Sequence, residues 1–155
     1  MSRHRIATAI HEVTEDKRRY LPLLLLADEQ EDMIERYLDR GRMFIVEACG
    51  RVVAECVVTD EGNGVLEIKN LAVAPESQGN GYGRALIEFI AQTFRGRFAI
   101  LQVGTGESPL TLPFYERCGF RRTHCVQGFF TKHYDHPIIE AGVQLVDMVF
   151  LQREL

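Results

Sequence analysis

The sequence contains no apolar stretch able to cross a membrane. Its longest uncharged apolar run, Leu21–Ala27, is interrupted by Pro22 and falls far short of the ~20 residues a span requires. No secretory leader is expected either. Behind Met1-Ser2-Arg3-His4-Arg5, the apolar stretch Ile6–Ile10 gives way to His11-Glu12, too short for such a segment. No basic run longer than Lys17-Arg18-Arg19 occurs, and 18 Lys and Arg face 22 Asp and Glu, for a formal net charge of −4. Nucleic-acid binding draws much of its affinity from neutralising phosphates, so this balance excludes that class of partner. It suits a cationic one. The four cysteines, Cys49, Cys56, Cys118 and Cys125, include no Cys-x-x-Cys pair. Without a leader they are expected to be reduced thiols in a cytoplasmic protein, with Cys49 and Cys56 as small buried hydrophobes. Internal repeats and Pro- or Ser-rich linkers are missing too, so residues 1–155 are expected to form a single domain.

What is present fits a globular chain: 46% of the 155 residues are apolar and 26% charged. At this length about 68–70% of the unfolded surface is buried on folding, enough for a core without staples. Arg5–Val13 reads as a strand. Lys17–Ala27 reads as a Leu-rich helix that Pro22 shortens or kinks. Asp28-Glu29-Gln30-Glu31-Asp32 reads as the acidic opening of a second helix, which puts Met33, Ile34, Tyr37 and Leu38 on one face and stops at Gly41. Arg42–Cys49 and Arg51–Thr59 flank Gly50 as a hairpin, and Asn63-Gly64 marks the turn before a strand at Val65–Val73. Along that strand Leu66 and Ile68 keep one phase, and Leu71 and Val73 the other, so a β-bulge is expected at residues 69–71. Gly83–Phe94 is an amphipathic helix by its period, and Phe98–Val103 a short buried strand. Thr111 is the expected N-cap of a short helix ending at Cys118, with Gly119 as its left-handed cap. Phe120–Val126 and Val143–Phe150 close the chain as strands. Strands first, then helix alternating with strand, argue for a mixed α/β sheet with helices on both faces.

The most informative segment is Leu71-Ala72-Val73-Ala74-Pro75-Glu76-Ser77-Gln78-Gly79-Asn80-Gly81-Tyr82-Gly83-Arg84. A strand ends, Pro75 stops it, and three glycines lead into a helix whose first amides and positive dipole end are available to an anion. Such a turn binds phosphate or pyrophosphate through backbone groups, with no need of basic side chains. It is neither a dinucleotide fingerprint, since Arg84 and Leu86 stand where a third glycine is required, nor a P-loop, which needs Gly-Lys-Ser/Thr.

Gln78-x-x-Gly81-x-Gly83 resembles the Arg/Gln-x-x-Gly-x-Gly/Ala signature of the GNAT superfamily of N-acetyltransferases, and Leu71-Ala72-Val73-x-Pro75 is similar to its usual lead-in. Some thirty residues on, Phe114-Tyr115-Glu116-Arg117-Cys118-Gly119-Phe120 resembles its Leu-Tyr-x-x-x-Gly-Phe segment. The resemblance implies a central, mostly antiparallel sheet of about seven strands, acetyl-CoA as cosubstrate, and direct transfer of the acetyl group to a primary amine. It assigns the pyrophosphate to the amides of Gln78, Gly79, Asn80, Gly81, Tyr82, Gly83 and Arg84. It assigns the pantetheine arm to Leu71, Ala72 and Val73, with the Val73 amide polarising the thioester carbonyl. Where the family often has Asn bonding the pantetheine, seven residues before the tyrosine, Ser108 stands here.

Direct transfer needs a proton taken from the ammonium and one given to the leaving thiolate. The resemblance places Tyr115 beside the sulfur as the acid. Glu67, eleven residues before Gln78, is the candidate base, or else a solvated carboxylate on the sheet's polar side. Thr131-Lys132-His133-Tyr134-Asp135-His136-Pro137 is a second source of a base, through a histidine, or an ordinary polar loop. His133-x-x-His136 with Asp135 lacks further ligands at suitable spacing, so no metal is expected. Asp28, Glu29 and Glu31, together with His133 and Asp135, are candidate contacts for the acceptor. The acidic run either attracts a small cationic amine, polyamine- or aminoglycoside-like, or only complements a helix dipole. A protein or peptide amine as acceptor, and a non-catalytic acyl-CoA-binding module, are the alternatives. The chain is expected to be a monomer or homodimer.

Overall fold

The computed structural model describes residues 8–155, so the expected start of the first strand at residues 5–7 lies outside the described residues. In chain order the elements begin with β1 (Thr8–Val13), a 3-10 turn (Lys17–Tyr20), α1 (Leu21–Ala27), α2 (Glu31–Glu35), β2 (Arg42–Ala48), β3 (Arg51–Asp60) and β4 (Val65–Val73). There follow a 3-10 turn (Pro75–Ser77), α3 (Tyr82–Phe94), β5 (Ile100–Gly106), α4 (Leu112–Arg117), β6 (Arg121–Val126), α5 (Phe129–His133), β7 (Ile139–Glu140), β8 (Val143–Gln144) and β9 (Met148–Glu154). Seven strands pair in the order β1-β2-β3-β4-β5-β9-β6, and β7 with β8 makes a separate hairpin. The β4–β5 pair is parallel, while β1–β2, β2–β3, β5–β9 and β6–β9 are antiparallel. The sheet is therefore mixed and mostly antiparallel.

The described chain gathers into two compact units, one of residues up to 59 with 69–90, the other of 60–68 with 91–155. In the first unit Pro22 does what proline does in a first turn: the helix restarts there, as a 3-10 turn followed by α1 with proline near its N-terminus. Asp28 caps the end of α1, and α2 starts three residues later than the acidic run suggests. Leu24, Ile34, Tyr37 and Leu38 cover Met43, Ile45 and Val57 on one face of the sheet. Each aliphatic side chain buried this way contributes about 1.5–3 kcal/mol. On the opposite face Phe44 meets Phe89 of α3, ring edge to ring face, at 5.5 Å. Helices thus cover both faces within this unit. Cys49 and Gly50 both have positive φ, 53° and 72°, the conformation of a tight two-residue hairpin turn; Cys49 is therefore exposed in the turn and not the buried strand residue expected, while Cys56 is buried. Gly41 is needed for closeness: a Cβ there would lie 2.7 Å from Val57 Cγ1 and 2.9 Å from the Tyr37 carbonyl.

In the second unit the first half of β4 runs parallel to β5, which pairs in turn with β9, and β9 with β6. Leu101, Val103, Phe120, Val149 and Leu151 are buried there. The α4 helix begins after Thr111 and ends at Cys118, with Gly119 at φ 91°, as its sequence signals require. Two expectations need correction. The closing strand is Met148–Glu154, while Val143 and Gln144 belong to the short β7–β8 hairpin. Residues 129–133 form a helix in which Phe130 packs with Ile138 and Leu145 as a small separate core. The apolar pattern of residues 143–150 serves both elements, so periodicity alone does not divide them.

Candidate functional site

The glycine turn is built from the backbone outward. Gln78 Nε2 donates to the Val73 carbonyl (3.2 Å), and Asn80 Nδ2 to the Ser77 carbonyl (2.9 Å). These side chains hold the loop shape that brings the chain into α3. Gly79 and Gly81 sit at φ 81° and 82°, and a Cβ on either would meet nothing within 4 Å. Glycine is thus demanded by conformation, with open space around it. The Ala85 N–H donates to the Gly81 carbonyl at 2.9 Å, making Gly81 the N-cap. The amides of Tyr82, Gly83 and Arg84 are consequently in the first turn, where a helix provides no acceptor. Open space, free first-turn amides and the positive end of a thirteen-residue helix fit a phosphate-bearing cosubstrate.

The strand leading into this turn settles which backbone groups face where. The Ala74 N–H donates to the Val53 carbonyl on β3 at 2.8 Å. Backbone direction alternates along a strand, so Ala72 also faces β3, whereas Leu71 and Val73 turn their N–H and C=O groups to the other edge. There the parallel ladder with β5 covers only Val65–Ile68, and β4 continues to Val73. This leaves the Leu71 groups and the Val73 N–H oriented for an extended ligand, while the Val73 carbonyl accepts from Gln78. Between β3 and β4 the paired spans differ by one residue, with the Glu61 N–H on the Val65 carbonyl at one end and the Ala74 N–H on the Val53 carbonyl at the other, so β4 carries one residue more than its partner, as the expected bulge provides. Leu66, Ile68, Asn70 and Ala72 are all buried, and Leu71 and Val73 are half-buried, so a polar residue, Asn70, occupies a core position. Further register shifts lie at Val46/Glu47 and Arg122/His124.

Glu67 is buried, 6% exposed, rather than solvated. It stands in register with Gln102 on β5, and Gln102 with Gln152 on β9. Gln152 Nε2 donates to Gln102 Oε1 at 2.7 Å, and Gln102 Nε2 donates to Glu67 Oε1 at 2.6 Å. Three adjacent strands therefore fix the orientation of this carboxylate. Tyr115 is 7% exposed on α4, its ring 5.1 Å from Phe114 and 5.6 Å from Phe120, both edge to face. Ser108 is 1% exposed. Its Oγ accepts from the Leu110 N–H (3.1 Å), which leaves its own hydroxyl proton to give. Thr111 spends its hydroxyl on Thr105 (2.7 Å), and the Ser108 carbonyl accepts the Leu112 N–H at the start of α4.

The acceptor candidates divide. Asp28 is half-buried and accepts from the Tyr37 hydroxyl (3.1 Å), while Glu29 and Glu31 point to solvent, Glu31 in the first turn of α2. In the second unit the His133 ring lies 4.6 Å from that of Phe129, and Asp135 pairs with His136 Nδ1 at 2.5 Å. Among the described residues no His, Cys, Asp or Glu cluster has the arrangement of a metal site.

Sequence reasoning passed over Asn70 and Glu55 of the first unit, and read Tyr37 only as part of an apolar helix face. Asn70 Nδ2 donates to the Leu24 carbonyl and to Tyr37 Oη, both at 3.0 Å, and Tyr37 passes its proton on toward Asp28. Burial, with Asp28 beside it, raises the Tyr37 pKa. Glu55 is fully buried, and neither carboxyl oxygen has a hydrogen-bond partner. Desolvation pushes its pKa well up, opposed weakly by the nearby Ala72 amide. The signal for Glu55 was its phase: it shares the inward face with Val53 and Val57 in a strand buried on both sides.

Residues 39–122 match the model of the Acetyltransferase (GNAT) domain. The chain is 32% identical over 157 residues, covering all of both proteins, to the uncharacterized N-acetyltransferase YvbK of Bacillus subtilis (strain 168). A GNAT family acetyltransferase from Elizabethkingia anophelis, solved with acetyl-CoA bound, superposes with a TM-score of 0.90 at 32% identity, over 96% of this chain and 98% of that one. An IAA acetyltransferase from Bacillus cereus ATCC 14579 does so with a TM-score of 0.88 at 35% identity, over 96% and 100%.

Proposed function

Because this chain belongs to the GNAT family of acetyltransferases, we propose that it moves the acetyl group of acetyl-CoA directly onto a primary amine of a small cationic molecule, polyamine- or aminoglycoside-like. The whole chain is taken as one acetyltransferase domain. The observation that carries the cosubstrate is the Gly81-capped turn, whose first-helix amides are available to an anion without a cluster of basic side chains. An Elizabethkingia relative of this fold binds acetyl-CoA, which when bound supplies the acetyl group as a thioester.

The chain's own residues then have the following parts. Amides of residues 78–84 bind the pyrophosphate, and Leu71 and Val73 pair with the pantetheine arm as a strand would. The Val73 N–H, on the strand edge away from β3, stabilises charge developing on the carbonyl oxygen. Glu67, held by Gln102, takes the proton from the attacking amine, directly or through water. Tyr115 gives its hydroxyl proton to the departing sulfur. Ser108 keeps a hydroxyl proton for the arm. A cationic acceptor follows from the surplus of acidic groups, with Asp28 the member of its run that is built into the structure.

The test is release of free thiol from acetyl-CoA across a panel holding diamines, aminoglycosides, lysine peptides and peptide N-termini. Turnover confined to peptides would replace the small-molecule reading with the peptide one. Tight acetyl-CoA binding with no turnover on any amine would leave a binding module.

A further inference from the structure

Between β6 and β9 the chain makes an excursion, residues 127–147, which carries α5 and the β7–β8 hairpin and packs a small core of Phe130, Ile138 and Leu145. Its neck is closed by the Gly128 N–H on Asp147 Oδ1 (2.8 Å) and the Phe130 N–H on the Val146 carbonyl (2.9 Å). A cavity of about 240 Å³ opens here, with buried Phe130, Ile138 and Leu145 in its wall beside the more exposed Tyr134, Asp135 and His136. It lies along the sheet face that bears Glu67. Residues opposite each other on paired strands share a face, as do alternate residues of one strand. Glu67, Gln102 and Gln152 therefore share theirs with Gly104 and Gly106 of β5 and with Phe150 and Met148 of β9. Leu145 covers Gly106 there: a Cβ on Gly106 would lie 2.6 Å from Leu145 Cδ1. Met148, paired with Gly106, packs against the same small core. We propose that this cavity seats the far ammonium of the acceptor, with Asp135 as its counter-ion, so that the acceptor is a linear polyamine rather than an aminoglycoside. This rests on the N-acetyltransferase reading above and narrows its substrate class.

The lining selects the ligand. The Phe130 and Tyr134 rings stack at 5.5 Å, and aromatic faces attract cations. Asp135 is paired with His136 Nδ1 at 2.5 Å. A carboxylate has about four acceptor positions, so one such partner leaves it able to take an ammonium proton. Thr131 spends its hydroxyl proton on the Gly128 carbonyl (3.0 Å), so toward a ligand its oxygen is an acceptor. The lysine of the excursion, Lys132, is exposed and does not line the cavity. Methylenes gain by burial against Phe130, Ile138 and Leu145, whereas the hydroxyls of an aminoglycoside ring would lose water there without a partner. Length selects too. From Gln102, in register with Glu67, β5 runs on to Gly106 beneath Leu145, a span of roughly 13 Å. Putrescine is too short to keep one nitrogen at Glu67 and the other beyond Leu145; spermine is long enough.

Two measurements test this with spermine as the probe. On titration of the unaltered protein, amide NMR shifts are expected at residues 130–138 and 144–145. In steady-state assays kcat/KM for spermine should exceed that for putrescine. In Asp135→Asn, and separately in Gln144→Trp, which fills the mouth of the cavity, this preference is expected to fall about tenfold through the KM for spermine. Asp135→Glu should retain most of it, which a general loss of packing would not allow. Absence of shifts at the cavity, turnover confined to aminoglycosides, equal use of putrescine, or a preference that survives both substitutions overturns the proposal. So does stronger occupancy by phenethylamine, which has no second ammonium. Cavity shifts with spermine that are lost in Asp135→Asn, without acetylation of any amine, leave the site standing and overturn the transferase reading instead.

Discussion

Replacing Glu55 by Leu is expected to stabilise the protein. The carboxyl is fully buried, both of its oxygens lack partners, and its neighbours across the ladder are Ile45 and Ala72. A buried polar group without partners costs about 1–3 kcal/mol, and leucine offers similar bulk to an apolar setting. At the middle of that range, about 2 kcal/mol, a chain of this size gains roughly 4–8 °C in Tm. The effect has a defined pH dependence. Burial raises the Glu55 pKa above its ordinary 4.5, so the native state retains a proton that the unfolded chain releases. The contribution of Glu55 is thus least unfavourable below pH 4.5 and grows more so as pH rises toward the native pKa. The Leu variant lacks this slope, so its advantage is smallest in acid and widens toward neutral pH. Thermal unfolding followed by circular dichroism across a pH series measures it. A lower Tm on substitution, or a gap independent of pH, would refute the reasoning by showing the carboxylate to be paired and charged in the native state.

Glu67→Gln should slow transfer most at low pH, where the acceptor holds its proton most firmly; an unchanged pH–rate profile removes Glu67 as base. Gln102→Leu frees the same carboxylate from its 2.6 Å donor, so it should reduce kcat, and combining it with Glu67→Gln should add little more. Tyr115→Phe is expected to lower kcat with acetyl-CoA affinity nearly unchanged, by calorimetry; a large affinity loss with normal turnover contradicts the acid role. Gly81→Ala forces a side chain into φ 82°, at a cost of about 1–2 kcal/mol, and should weaken CoA binding, while Gly81→Asn retains more of it. Equal affinities for the two variants would mean that backbone conformation does not shape the turn.

Motifs set by near neighbours were legible in the sequence. Gly50 makes its hairpin turn, Thr111 and Gly119 bracket α4, and the glycines of residues 79–83 lead into α3, because each outcome depends on a few adjacent dihedrals. Glu67 was legible as a candidate but not as a buried group, since its donor Gln102 lies thirty-five residues away on β5 and is itself held by Gln152 of β9. The last strand was misplaced because Met148–Glu154 is selected by pairing with β5 and β6, a long-range choice that apolar periodicity does not encode.

By itself, the order of residues determined the family, the glycine-rich turn and the tyrosine of the later motif, all carried by local backbone demands and by side chains a few positions apart. Tertiary structure alone decided which polar groups are buried. Asn70 enters the core because Leu24 and Tyr37 come from other elements to accept its hydrogen bonds. Glu55 is stripped of water by strands and helices that meet only on folding. Burial and long-range pairing are properties of the assembled sheet, so the charge of −4 read at the outset acquired a location, and a chemistry, only there.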